Sequence, residues 1–372
     1  MKLLFILGTR PEVIKLYPLI KKYKKTTDHK IYVCFTGQHE LQAEQMLHFF
    51  NLKEDVNLNI MKREQSLEQL TSDIIKSVSR VLDKIKPEVV FVQGDTKTAA
   101  FGALVAFYKQ IDVIHIEAGL RSHDITQPFP EEFNRRMIDV ISKYRIAPTQ
   151  SAYENLIKEN YNPESIFISG NTVIDALLLA RKIIRKELKN FSKKYNFLNK
   201  YEKIILLTAH RRENLGKPMK DICTALSKVA KMNPESALVF PVHLNPSVRN
   251  IVYKYLNNLK NVFLLKPLDY GDFIYLLDRC HIVITDSGGI QEEAPSFKKP
   301  VLVLRNVSDR NELMQLGGAI LVGSDKSKIE SVTNELLTDS KKYANMQVEN
   351  PYGDGKASGR IIRYLDNKYG LT

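Results

Sequence analysis

A chain of 372 residues is too long for one hydrophobic core and predicts two domains or three. Its hydrophobic content of 44% and charged content of 26% are ordinary for a soluble globular protein, and no apolar run approaches the ~20 residues that cross a bilayer. Met1-Lys2 leads straight into a short strand-like run with no signal peptide, so a cytoplasmic protein without a membrane partner is expected. The net charge of +13 raises a nucleic-acid partner, but the lysines lie along helix faces, as in "KKYKK" (21–25) and 182–195. No recognition helix or aromatic-interleaved basic motif accompanies them, and the excess suits an anionic small substrate better.

The first strand is expected at "KLLFIL" (2–7), and "GTRPEVIKL" follows it. Thr9 and Glu12 have capping-box spacing, and Pro11 suits a first helical turn. Arg10 and Lys15 have no such explanation, since positive charge is unfavourable at a helix N-terminus; they favour a bound anion. Next come strands at 30–36, 88–93, 112–117, 144–149 and 165–169, with a helix over Leu67–Ile85. Gly170-Asn171 breaks the series. A second series occupies 203–209, 236–242, 261–266, 281–286, 301–305 and 319–323, with a helix over Met219–Met232. A Gly-rich loop and a terminal helix end the chain.

Continuous apolar strands alternating with helices mean a parallel sheet covered on both faces. The expected fold class is therefore α/β, with two doubly wound, Rossmann-like domains joined near residue 170. Ligands of such sheets sit outside the carboxyl ends of the strands. There the chain places Arg10 and Lys15, then Gln38 and His39, Asp95, Glu117 with Arg121, His210 with Arg211, His243, Ser287-Gly288-Gly289, and Arg310. Both halves carry ionisable groups at the same edge, so a cleft between the domains would be lined from both sides. Ser287 is expected to cap a helix whose glycines let a phosphate approach the backbone, with Glu292 or Glu293 one turn in for a ribose. Asp95 and Glu117 together with His210 suggest acid/base chemistry. "QPFPEEFNRR" (127–136) adds Glu131 and Glu132, which salt bridges to Arg135 and Arg136 would equally explain. Three scattered cysteines and the lack of HExxH, CxxC or GxGxxG predict no metal, no disulfide and no NAD.

These motifs carry a resemblance. "GTRPEVIKLYPL", "GQHE", "GDTKTA", "HIEAGLRS", "PFPEEFNRRMID", "SGNTVIDAL", "TAHRRENLG", "PVHLNP" and "TDSGGIQEEAPSFKKPVLVLR" resemble those of the non-hydrolysing UDP-N-acetylglucosamine 2-epimerases, from about residue 3 to beyond 323. The resemblance implies a glycosyltransferase-B-like architecture with the active site in the interdomain cleft. One domain would comprise 1–169 plus a returning helix 357–372, and the UDP-binding domain 170–356. It implies a homodimer that interconverts UDP-GlcNAc and UDP-ManNAc without cofactor, through 2-acetamidoglucal, supplying ManNAc-type sugars for surface polysaccharide or glycan synthesis. By the same resemblance Asp95, Glu117, Glu131 and His210 are catalytic. Arg10, Lys15, Arg310 and Ser287, Gly288 and Gly289 hold the diphosphate, Glu293 takes the ribose, Phe273 lies against uracil, and the backbone near Leu268 reads its edge.

Bacterial members also use a second UDP-GlcNAc as an allosteric activator, and Gln38, Glu131, Arg211 and His243 match that site. Leu41 and Glu64 depart from it, and "DRNE" (309–312) replaces the family's "ERPE". The expectation is weakened or altered activation; an absolute requirement for UDP-GlcNAc when UDP-ManNAc is the substrate would refute it. A glycosyltransferase of the same fold would explain Ser287–Glu293 equally well, but not three carboxylates and a histidine without an evident acceptor site.

Overall fold

The computed structural model describes residues 1–371 apart from 38–39, 62–64 and 308–309; the side chains of 40–42 are likewise outside it. The described residues form two compact units, Met1–Leu179 with Tyr352–Thr372, and Ala180–Pro351.

The first unit is built on β1 (Lys2–Leu7), β2 (Lys30–Phe35), β3 (Val56–Asn57), β4 (Val89–Gln93), β5 (Asp112–Ile116), β6 (Tyr144–Ala147) and β7 (Ile166–Ile168). All pair in parallel in the order β3-β2-β1-β4-β5-β6-β7. Alternation along β1 sends Leu4 and Ile6 to one face, against Ile74 and Val78 of helix Leu67–Ile85 and Ala99 and Ala103 of helix Lys97–Tyr108. The other face takes Phe5, stacked on Phe91 at 4.4 Å and tilted against Tyr23 of helix Arg10–Thr26 at 6.2 Å. With both faces covered, neither strand needs polar alternation, which is why these runs read as continuous apolar stretches.

The chain's last segment completes this unit. Tyr352 O accepts from Asn171 N at 2.7 Å, and Asp175 accepts the Ala357 and Ser358 N–H groups at 3.2 and 2.9 Å at the start of helix Ala357–Lys368. Further along the helix Tyr364 stacks on Phe167 at 4.4 Å, and past its end Tyr369 donates to Asp112 at 2.9 Å.

The second unit carries β8 (Lys203–Thr208), β9 (Ser236–Pro241), β10 (Val262–Leu265), β11 (Ile282–Thr285), β12 (Val301–Val303) and β13 (Ala319–Leu321). Their order is β10-β9-β8-β11-β12-β13, again all parallel. Ile205, Leu207, Leu238, Phe240, Ile282 and Ile284 pack with Met219, Ile222, Leu226 and Val229 of helix Lys217–Met232. Each unit is thus a doubly wound parallel sheet whose strand order reverses once, between β1 and β4 and between β8 and β11, where such folds place ligands.

Every expected strand is present, and all but β1 and β4 stop one or two residues short at the carboxyl end, where the chain turns away from the ladder. β3 was not expected: two residues in "KEDVNLN" carry no readable alternation, yet Val56 and Asn57 pair with Cys34 and Phe35. Cys34, Cys223 and Cys280 are free and buried. No described helix is long and apolar enough to cross a membrane.

Candidate active site

At the first reversal point, the turn after β1 is organised by Glu12. Its fully buried carboxylate accepts from Gly8 N, Thr9 N and Thr9 Oγ1 at 2.9, 2.7 and 2.8 Å, and from Thr96 Oγ1 at 2.6 Å. Thr96 in turn caps helix Lys97–Tyr108 through Ala99 N. Glu12 therefore ties the turn after β1 to the turn after β4. Burial raises its pKa from 4.5 to about 6, against the lowering effect of these hydrogen bonds. A carboxyl raised on folding stabilises fully below its unfolded pKa and loses that contribution as pH rises through the folded value. For Glu12 the window is 4.5 to about 6 and the amount about 2 kcal/mol. Urea titrations at pH 4 and 7.5 should show the wild type losing about that much relative to Glu12→Gln; a pH-independent difference would contradict the assignment.

Asp95 follows β4 in the turn that Glu12 braces. Arg135 pairs with its carboxylate, and Asn134 Nδ2 holds its carbonyl at 2.8 Å. The sequence alone suggested Arg135 as a partner for Glu131 or Glu132. It does pair with Glu132, Nη1 at 3.3 Å, as does Arg136 at 2.9 Å, and it also bridges to Asp95. Glu131 opens helix Glu131–Ile141, half-buried and without a hydrogen-bonding or ionic partner among the described residues.

Glu117 lies just past β5 with a φ of 69°, a region that costs an L-residue about 1–3 kcal/mol. Its side chain is nevertheless clamped. Lys15 Nζ reaches both oxygens at 2.6 Å, Gln93 Nε2 donates to Oε2, and Asn171 Nδ2 donates to Oε1 at 3.3 Å. A Cβ placed on Gly94 would lie 3.8 Å from Glu117 Oε2, so this carboxylate sits over the turn that presents Asp95. Gly119, two residues on, has φ +83° and could not carry a side chain, because its Cβ would fall 2.3 Å from Ala152 O.

Beneath these groups runs a buried charged chain. His115 Nδ1 meets Asp139 Oδ1 at 2.6 Å and its Nε2 meets Gly94 O at 2.8 Å. Arg121 bridges Asp139 Oδ2 and Glu159, both at 2.7 Å. Burial pushes the Asp139 carboxyl up, but His115 and then Arg121 outweigh it and hold the group below the usual carboxylate range.

At the second reversal point, His210 and Arg211 follow β8 and Asp286-Ser287 follows β11. His210 is half-exposed, its ring 6.0 Å from that of His243, whose Nδ1 accepts from Asn245 N at 3.1 Å. Ser287 precedes helix Gly288–Glu293, but its side chain makes no capping bond. The expected cap is thus a position without the bond; Ser287 N is turned back to Thr285 Oγ1 at 2.9 Å, and its hydroxyl has no partner among the described residues. Arg310 pairs through Nε with Glu292 at 2.6 Å, and its guanidinium would lie 3.7 Å from a Cβ on Gly288. Glu293 is buried in the next turn. Leu268 and Phe273 are half-buried before and within helix Tyr270–Arg279, past β10. Gln38, His39 and Glu64 lie outside the described residues, as do Asp309 and the side chain of Leu41. Among the described residues no three His, Cys, Asp or Glu side chains gather as metal ligands.

The family profile described as UDP-N-acetylglucosamine 2-epimerase matches residues 21–366. The chain belongs to that family. It is similar to the UDP-N-acetylglucosamine 2-epimerase of Campylobacter jejuni, with 45% identity over 98% of this chain and 97% of the relative. The structure of the Neisseria meningitidis UDP-GlcNAc 2-epimerase bound to UDP-GlcNAc superimposes with a TM-score of 0.89 at 42% identity, covering 99% of this chain and 100% of the other. That of the Methanocaldococcus jannaschii enzyme in complex with UDP-GlcNAc and UDP gives 0.80 at 36% identity, with 99% and 100% covered. As a UDP-N-acetylglucosamine 2-epimerase the chain is an isomerase.

Sequence reasoning missed the residues that hold Glu117, Asp95 and the His210 loop in place: Gln93 and Asn171, Asn134, and Asp286. Each is a polar residue at a strand end, a helix start or a break, a weak signal without its partner in view.

Proposed function

We propose that this epimerase interconverts UDP-GlcNAc and UDP-ManNAc by anti elimination and re-addition of UDP. A base takes the C2 proton while the C1–O bond breaks, the electron pair forms the C1=C2 bond of 2-acetamidoglucal, and UDP departs with the bonding pair. UDP then returns to C1 and a proton is delivered to the opposite face of C2. The C2 proton of an N-acetyl sugar is not acidic, so the reaction calls for placed acids and bases and a cationic holder for the leaving group.

Asp95, Glu117, Glu131 and His210 are the proton-transferring set. What carries this reading is the first reversal point, where Glu117 lies over the turn of Asp95 and each is held by its own cation, Lys15 and Arg135. Arg10, Lys15, Arg310 and Ser287–Gly289 hold the diphosphate, Glu293 the ribose, and Phe273 with the backbone near Leu268 the uracil. The same proposal includes a homodimer and a second UDP-GlcNAc bound through Gln38, Arg211 and His243. The 6.0 Å approach of the His243 ring to His210 supports coupling of that ligand to the proton-transferring set.

Incubation of UDP-GlcNAc with the protein in D₂O tests the mechanism. Deuterium at C2 of both UDP-sugars is expected. UDP-ManNAc without C2 deuterium, free ManNAc with UDP, or recovery of unexchanged UDP-GlcNAc would each overturn it.

A further inference from the structure

We infer that Asp286 is the positioning residue of His210, orienting the imidazole and keeping a proton on its Nδ1; this rests on the role of His210 proposed above. Asp286 is fully buried at the end of β11, its N–H on Thr208 O at 3.2 Å, so the adjacent strands β8 and β11 fix it relative to the His210 loop. Thr208 and Thr285, paired in register, also join through their hydroxyls at 2.6 Å.

The two carboxylate oxygens do different work. Oδ2 accepts from His210 N and Arg211 N at 2.9 Å each and from Asn214 Nδ2 at 3.0 Å, which shapes the loop. Asn214 is anchored in turn to Leu304 O at 3.0 Å. Oδ1 has no hydrogen bond among the described residues, though it is buried. A buried acceptor left unpaired costs about 1–3 kcal/mol, so such an oxygen marks a partner. The group facing it is His210 Nδ1, at 3.4 Å. Catalytic hydrogen bonds are often long in the unliganded protein and tighten in the reacting complex.

A carboxylate only accepts, so Nδ1 must donate. That leaves Nε2 on the half-exposed side of the ring to exchange a proton, and it places a negative charge beside the imidazolium formed when Nε2 takes one up. Loop shaping alone would require Oδ2; it would not require a second oxygen aimed at the ring.

Asp286→Asn separates the two roles. Its amide oxygen can keep the three loop bonds while its NH₂ faces Nδ1 and forces the proton to Nε2. We expect kcat to fall roughly 10²–10⁴-fold, with the UDP dissociation constant changed less than about threefold. The ¹⁵N spectrum of His210 should change from the Nδ1–H to the Nε2–H tautomer. A kcat within about threefold of wild type, or a parallel loss of kcat, UDP affinity and Tm, would overturn the assignment. If the variant does not fold, the wild-type spectrum decides alone: an Nε2–H neutral form refutes the proposal. That spectrum needs no substrate, so failure here and failure of the elimination mechanism in D₂O are read separately.

Discussion

Asp95→Asn and His210→Asn are expected to lower kcat by about 10²–10⁴-fold while UDP still binds. Each substitution keeps much of the size and hydrogen bonding of the original side chain. In Asp95→Asn the new amide oxygen can still accept from Arg135, and the loop carrying His210 is held through its backbone by Asp286 rather than by its own ring. What is lost is the capacity to take up or give a proton. The loss should fall on kcat and kcat/KM together, as for an interaction made in the transition state, with UDP affinity by calorimetry near that of the wild type. A near-normal rate for either variant removes that residue from the catalytic set.

The second large effect is on stability. Asp139→Ala should destabilise the first unit by about 3–5 kcal/mol in urea, because it removes one counter-charge of the buried Arg121 and the hydrogen-bond partner of the buried His115 ring. Asp139 is fully buried between His115 and Arg121, and its own carbonyl accepts from Arg145 Nε at 2.7 Å. The cost falls mainly on His115, since Arg121 retains Glu159. Because the Asp139 carboxyl is held below its ordinary 3.8, its stabilisation is full above that pH and is lost as pH falls through the lower folded value. The wild-type advantage over the alanine variant should therefore shrink in acid. A loss under about 1 kcal/mol at neutral pH would mean that the charges are not coupled. The second unit should be unaffected, so the two transitions are to be followed separately.

The twelve longer strands were legible because a parallel sheet buried on both faces writes itself as unbroken apolar runs. The groups at their carboxyl ends followed from that, including Asp95, Glu117, His210 and Ser287. What holds those groups was not legible. Lys15 and Glu117 are 102 positions apart, and Asp286 and His210 are 76 apart. No local pattern links them, and only the strand order brings them together. Local rules found only part of a partner set: Arg135 meets Glu132 on its own helix, as the spacing suggested, but also Asp95 on another element. Ser287 stands where a cap belongs and makes no capping bond.

The return of the chain to its first unit has a consequence for how the protein is made. A ribosome delivers residues in order at about 5–20 per second, and domains commonly fold as they emerge. Here residues 180–351 are all synthesised before Tyr352 onward can dock. Until then Asn171 lacks the carbonyl of Tyr352, Asp175 lacks the N–H groups of Ala357 and Ser358, and Phe167 has no Tyr364 to stack on. Asn171 is also among the residues that clamp Glu117. Until residues 352–371 dock, the nascent first unit would therefore hold Glu117 without the Asn171 that Tyr352 anchors in the finished fold.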